Sequence, residues 1–165
     1  MNVMFRIIFS FLLTIGIPTV SADNNLNQQN KVMTSGLSHL GLSVSSLEAS
    51  SSFFVDTLGW KLVGEKPNYP AKFVTDGHIV LTLWQIADDQ ELVPFNRKTN
   101  VGLHHLALSV PSFEILNELH QRLILTEEVV IEFSPELNGK GPTKHMMIRE
   151  PSGNRIEFTH KPNAE

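Results

Sequence analysis

Apolar positions alternate with small or polar ones through Leu37-Ser38-His39-Leu40-Gly41-Leu42-Ser43-Val44, the pattern of a strand with one buried face. Ser45-Ser46-Leu47-Glu48 follows and predicts a helix start, with Ser45 at the cap and Glu48 three positions later. Leu47, Phe54, Val55 and Leu58 make the apolar side of that helix, and Gly59 supplies the left-handed residue that ends it. Residues 60–64, 71–75 and 78–85 read as three further strands, the last two joined by the tight-turn pair Asp76-Gly77. The order is β-α-β-β-β.

The pattern then restarts. Leu103-His104-His105-Leu106-Ala107-Leu108-Ser109-Val110 repeats the first stretch, with His105 in the slot of His39 at an offset of 105 − 39 = 66. Ser46 and Glu48 find counterparts in Ser112 and Glu114 at the same offset. A strand over residues 102–110 and a helix over 112–125, with Phe113, Leu116, Leu119 and Leu123 on one face, open the second copy. Strands over 128–134, 143–149 and 154–160 complete it, with a loop at 135–141 and a turn around Pro151-Ser152-Gly153. One fixed offset predicts two copies of one supersecondary unit. The expectation is an α+β domain over 35–162, with module one at 37–85, a polar linker at 86–100 and module two at 101–160.

The first 22 residues stand outside this scheme. Arg6 precedes a mostly apolar run over residues 7–17, Pro18 follows, and Val20-Ser21-Ala22 resembles a small-residue cleavage site. This is the layout of a secretory signal peptide, and the run is shorter than the ~20 residues a membrane-spanning helix needs. The expectation is export to the periplasm or medium, with no stable membrane insertion after cleavage. Residues 23–34, rich in Asn and Gln, read as a flexible lead-in. Removing Arg6 changes the net charge from −4 to −5, so the balance points to no nucleic-acid partner. The chain has no cysteine, which removes disulfides, thiolate metal sites and cysteine nucleophiles.

Histidine and carboxylate remain as candidate chemistry. His39 and His105 sit at equivalent places among apolar neighbours. Strand alternation would let only one of His104 and His105 enter a site, and the repeat selects His105. Glu157 lies between Ile156 and Phe158 in the last strand. Two histidines and a carboxylate would hold a divalent ion and leave positions open for substrate. Gly139-Lys140-Gly141-Pro142-Thr143 lacks the spacing of a phosphate loop and leads into a strand. His78, His120, His145 and His160 read as surface residues.

Four stretches together resemble the vicinal oxygen chelate superfamily, which holds glyoxalase I, methylmalonyl-CoA epimerase, fosfomycin-resistance transferases, extradiol dioxygenases and bleomycin-binding proteins. They are the two histidine strands, Phe53-Phe54-Val55-Asp56-Thr57-Leu58-Gly59-Trp60, and Glu150-Pro151-Ser152-Gly153-Asn154-Arg155-Ile156-Glu157-Phe158. The resemblance implies a glyoxalase-like fold, in which paired β-α-β-β-β modules curl a mixed sheet into a cup. It implies His39, His105 and Glu157 as ligands of a divalent ion (Zn, Ni, Mn or Fe(II)), with Glu157 also moving a proton. The substrate would be a small oxygen-chelating molecule, and the chemistry of lyase, isomerase or dioxygenase type. Thr82 falls where glyoxalase I carries Glu and the epimerases Gln, so the four-ligand pattern is not kept. Thr82 and Trp84 would line the cup. Modules in this superfamily often pair between subunits, which implies a homodimer. The competing expectation is a metal-free binding module of the bleomycin-resistance type, using aromatics such as Trp84 and Phe73.

Overall fold

The computed structural model describes residues 32–87 and 91–162. The signal-peptide and most of the lead-in expectations therefore lie outside the described residues. Residues 32–36, which precede the folded unit, carry no helix or strand.

The folded unit contains two four-stranded sheets of identical order. In the first, β1 (Leu40–Val44) pairs parallel with β4 (Val80–Gln85), which continues antiparallel to β3 (Ala71–Thr75) and β2 (Lys61–Lys66). In the second, β5 (Leu106–Ser109) pairs parallel with β8 (Arg155–His160), followed by β7 (Lys144–Arg149) and β6 (Val130–Leu137). A parallel pair needs a crossover, and in each module a helix runs between the strands of that pair. The sheets are mixed and neither closes on itself. The 66-residue repeat is thus visible as topology.

The first helix, α1 (Leu47–Ser52), begins one residue later than the sequence suggests. Ser46 is its cap, in an extended conformation, and its Oγ accepts the Ala49 N–H at 3.2 Å. Ser45 is occupied otherwise: its N–H donates to Ser152 Oγ and its carbonyl accepts from Gln85 Nε2. The helix then widens into a π turn over Phe53–Thr57, with Leu58 N–H reaching back to Phe53 O. Periodicity gave no hint of that widening. It buries Phe53 and Phe54 side by side, with Phe54 against Trp60 at 5.2 Å between ring centroids. Gly59, at φ +76°, closes the segment as its sequence position suggests. The second helix, α2 (Phe113–Leu123), is capped by Ser112 and buries Leu116 and Leu123.

Two other boundaries move. The β3–β4 connection spans four residues, because Asp76 Oδ1 accepts from both His78 N and Ile79 N and holds them out of the strand. Pro135 lies inside β6, at a register shift between Phe133 and Glu136 where its missing N–H costs no ladder bond.

One hydrophobic core serves both modules. Leu42, Val44, Leu81, Leu83 and Phe54 join Leu108, Leu116, Ile148, Ile156 and Phe158 in a single cluster. By alternation, the other strand faces lie away from it, and Gly41, Ser43, Ala107 and Ser109 on β1 and β5 are exposed.

The modules are also tied by one buried carboxylate. Glu150, 1% exposed, accepts Ser50 Oγ–H at 2.6 Å on Oε2 and both Asn154 N–H at 3.0 Å and Asn154 Nδ2–H at 2.9 Å on Oε1. Ser50 is on α1 and Asn154 ends the β7–β8 turn, so this one side chain spans the module boundary. Replacing Glu150 by Ala removes the acceptor of all three bonds at once. We expect Glu150→Ala to lower the unfolding free energy by about 2–4 kcal/mol, measured by urea denaturation. A loss under about 1 kcal/mol would show that the donors find replacement partners at little cost.

Candidate functional site

The outer face of the second sheet carries a continuous chain of polar side chains. Glu157 on β8 stands at its centre. Its Oε2 lies 3.0 Å from His105 Nε2, and its Oε1 lies 2.5 Å from His145 Nδ1. His105 Nδ1 meets His104 Nδ1 at 2.8 Å. Arg155 Nη1 donates to the His104 carbonyl at 3.1 Å, and its Nε and Nη2 grip Glu132 at 2.7–3.0 Å. Arg149 Nε adds a further bond to Glu132 Oε1 at 2.8 Å.

Both adjacent histidines enter this chain, contrary to the alternation argument. Residues 104 and 105 precede β5 and lie outside its paired ladder, and their rings meet edge to face with centroids 5.1 Å apart. His145 is not the surface residue expected. The hairpin register explains it: Arg149 pairs with Arg155 and Met147 with Glu157, each pair summing to 304. Odd-numbered residues of β7 and β8 therefore share a face, which puts His145 beside Glu157. That signal was available once the turn at Pro151-Ser152-Gly153 was placed.

The charges order the chain. The Arg155 hydrogen bonds, with Arg155's charge and the Arg149 bond behind them, hold the Glu132 carboxyl below the usual range despite its burial. Partial desolvation, then the neighbouring Arg155, His105 and Arg97, lower the His104 pKa.

On the first sheet, Thr82 and Trp84 share the face opposite the core. Thr82 is 8% exposed, and its Oγ1 accepts the Trp84 indole N–H at 2.9 Å. Gly41 on the neighbouring strand leaves room for this pair, since a Cβ there would lie 3.3 Å from Thr82 Oγ1. Trp84 packs against Tyr69 and Phe73, with ring centroids 5.0 and 6.0 Å away, under the Lys66 ammonium. Gln85 faces the other way, its Oε1 taking the Leu47 N–H at 2.7 Å.

His39, just ahead of β1, is exposed, and its Nδ1 lies 3.3 Å from Ser38 Oγ. It makes no hydrogen bond to His105 or Glu157. The imidazole and carboxylate of His105 and Glu157 suit a divalent ion chemically and lie together. Among the described residues, however, no group of three or more histidines and carboxylates is arranged within the chain to hold one.

The duplicated sheet order and the paired histidine strands direct the comparison with known proteins. The model of the Glyoxalase/Bleomycin resistance protein/Dioxygenase superfamily matches residues 36–158. The chain belongs to this superfamily. Among solved structures, the glyoxylase/bleomycin resistance protein/dioxygenase domain from Frankia sp. EAN1pec superposes with a TM-score of 0.67 at 23% identity, over 78% of this chain and 99% of that one. The lactoylglutathione lyase of Agrobacterium tumefaciens gives 0.58 at 22% identity, over 78% and 95%. A fosfomycin resistance protein from Listeria monocytogenes gives 0.60 at 18% identity, over 79% and 96%. At these identities the likeness establishes the glyoxalase-like fold. Members of the superfamily bind small molecules and commonly use divalent metals.

The Glu132 pairing has a pH consequence. A carboxyl whose folded-state pKa is depressed takes up its proton later on acidification than it does in the unfolded chain. Its stabilisation is complete above the ordinary carboxylate range and is lost as pH falls through that range toward the folded value. In urea denaturation between pH 7 and the acid range, Glu132→Gln should lose stability less steeply on acidification than the parent protein. Equal slopes would assign the acid sensitivity to other groups.

Proposed function

We propose that the chain is an exported, divalent-metal-dependent enzyme acting on a small oxygen-chelating substrate. The observation that carries this reading is the contact of His105 with Glu157 on an open sheet face, two donors of the right chemistry at the repeat's equivalent of His39. Within one chain His39 does not join them. We assign the third donor to His39 of a second copy, so that the centre forms where module one of one chain meets module two of another. The exposed β1 and β5 faces, and the identical order of the two sheets, support an isologous pairing of this kind.

His105, Glu157 and the second copy's His39 would hold the ion. It would act as a Lewis acid toward vicinal substrate oxygens. Glu157 carries the proton transfer. His145, bonded to its Oε1, fixes the orientation of the carboxylate. Thr82 and Trp84 line the facing wall, where the Trp84–Tyr69–Phe73 cluster offers an aromatic surface. Thr82 contributes no carboxylate, so the centre differs from a four-ligand one and the lyase, isomerase or dioxygenase choice is open to substrate screening. The positive start, apolar run and small-residue site of residues 1–22 support export to the periplasm or medium.

A metal-free binding module of the bleomycin-resistance type is the second reading. It is favoured by one observation: both Glu157 oxygens already have imidazole partners, so the carboxylate is satisfied without an ion.

Elemental analysis separates the two. The purified protein, incubated with Zn, Mn, Ni or Fe(II), should retain about one ion per centre, and His39→Ala/His105→Ala should retain none. No retained metal in either protein would favour the binding module. The dimeric arrangement has its own test. Subunits of His39→Ala and His105→Ala, unfolded together and refolded, should recover about a quarter of the parent's metal, because half the dimers are mixed and each mixed dimer has one intact centre. A centre built within one chain would recover nothing.

A further inference from the structure

Between the modules runs a cleft lined by none of His39, His105 and Glu157. One end is apolar, lined by Leu92, Val93, Phe95, Val101 and Leu103, all of them exposed. The other end is cationic, lined by Arg97, Lys98, Arg149 and Arg155. Pro94, Phe95, Arg149 and Arg155 border both ends, so the two are continuous. No acidic side chain lines the cleft among the described residues. Glu132 behind it neutralises one of the four cations, which leaves three in a chain whose net charge is −4. This is a local reversal of the protein's overall field.

The cationic end is built. Asn96 organises the turn that carries Arg97 and Lys98: its Oδ1 accepts the Lys98 N–H at 2.9 Å and its carbonyl accepts the Asn100 N–H at 2.8 Å. Phe95 lies over Gly102, where a Cβ would come within 2.8 Å of the ring. That contact seats the turn against the start of module two. Arg155 is 9% exposed and fully engaged, so it supplies charge without mobility. Arg149 differs. Its Nε is bonded to Glu132, while its two terminal amino groups have no partner among the described residues. A guanidinium fork with both terminal groups open matches a planar carboxylate.

We propose that this cleft binds an organic monocarboxylate with an apolar body, the carboxylate on Arg149 in the field of Arg97 and Lys98, the body along Phe95, Leu92 and Leu103. Burying those side chains removes apolar surface that a lone chain leaves in water. Arg155 precedes Glu157 by two residues on β8, about 6.6 Å along the strand. Arg149 is the cross-strand partner of Arg155, so a carboxylate anchored there lies at the edge of the proposed centre. As the substrate class of that centre the proposal rests on the metal-enzyme reading. As a binding site it does not.

Isothermal titration calorimetry of the full chain with octanoate tests it. Octanoate should bind at one site per chain, more weakly as NaCl is added. Acetate, which lacks the body, and octan-1-ol, which lacks the charge, should each bind at least about tenfold more weakly. Arg97→Gln/Lys98→Gln changes only exposed side chains. It should weaken octanoate about tenfold, as should Arg149→Gln, the ratio for one lost charge-assisted contact. Stripping the metal with a chelator should leave octanoate affinity unchanged, so loss of metal and loss of octanoate report separately on the two readings. Undiminished octanoate affinity in both arginine variants overturns the proposal, as does octan-1-ol binding as tightly as octanoate. Absence of octanoate binding in a dimeric parent protein also overturns it, and gives the apolar rim to contact between copies.

Discussion

The Glu150 carboxylate is the constraint on which the arrangement depends. It is buried without a cation and is satisfied entirely by hydroxyl, amide and backbone donors. Such a group is stable only where its donors are fixed, so its placement fixes them in turn. Ser50 orients α1, and Ser152, bonded to Ser50 and to the Ser45 N–H, fixes the entry to that helix. Asn154 donates to Ser43 O as well, which holds β1 against the start of β8. The same turn sets the β7–β8 register, through Glu150 N–H to Asn154 O and Gly153 N–H to Glu150 O. A slip of β8 by one residue there would send Glu157 into the core and bring Ile156 and Phe158 to the surface.

Within that frame the two sheets divide the work. They share strand order and a common core, yet their outer faces have diverged in chemistry. The first presents Thr82 and an aromatic cluster around Trp84. The second presents imidazoles, a carboxylate and guanidinium groups bonded in series. Duplication keeps the scaffold because the core positions at the repeat's offset serve both copies. The outer faces are freer of packing constraints, and there His39/His105 and Ser43/Ser109 keep the correspondence while Thr82 and Trp84 have no like counterparts.

Much of this was legible in the chain. The repeat of Leu40-Gly41-Leu42-Ser43-Val44 in Leu106-Ala107-Leu108-Ser109-Val110 gave the paired-module architecture, since periodicity reports burial directly. Gly59 and Ser112 marked helix ends because their conformational and hydrogen-bonding roles are local. What was not legible depends on distant partners. The cap moved from Ser45 to Ser46 because Ser152 and Gln85, 107 and 40 residues away, engage Ser45. The π turn follows from fitting Phe53 and Phe54 into one core, which no local propensity encodes. His145 became legible only through hairpin register. His104 escaped because alternation was extended past the end of a strand.

The Ser50–Glu150 contact joins residues 100 apart in sequence. Synthesis from the N-terminus therefore completes module one long before its partner surface exists. Phe53, Phe54 and Trp60 belong to a core that closes only when α2, β7 and β8 have been made. Until then the nascent chain carries an unfinished, adhesive half. Non-local closure of this kind slows folding and lengthens exposure to misassociation. The order in which the ribosome delivers the two halves thus makes the last strand hairpin the step that commits the chain to its native state.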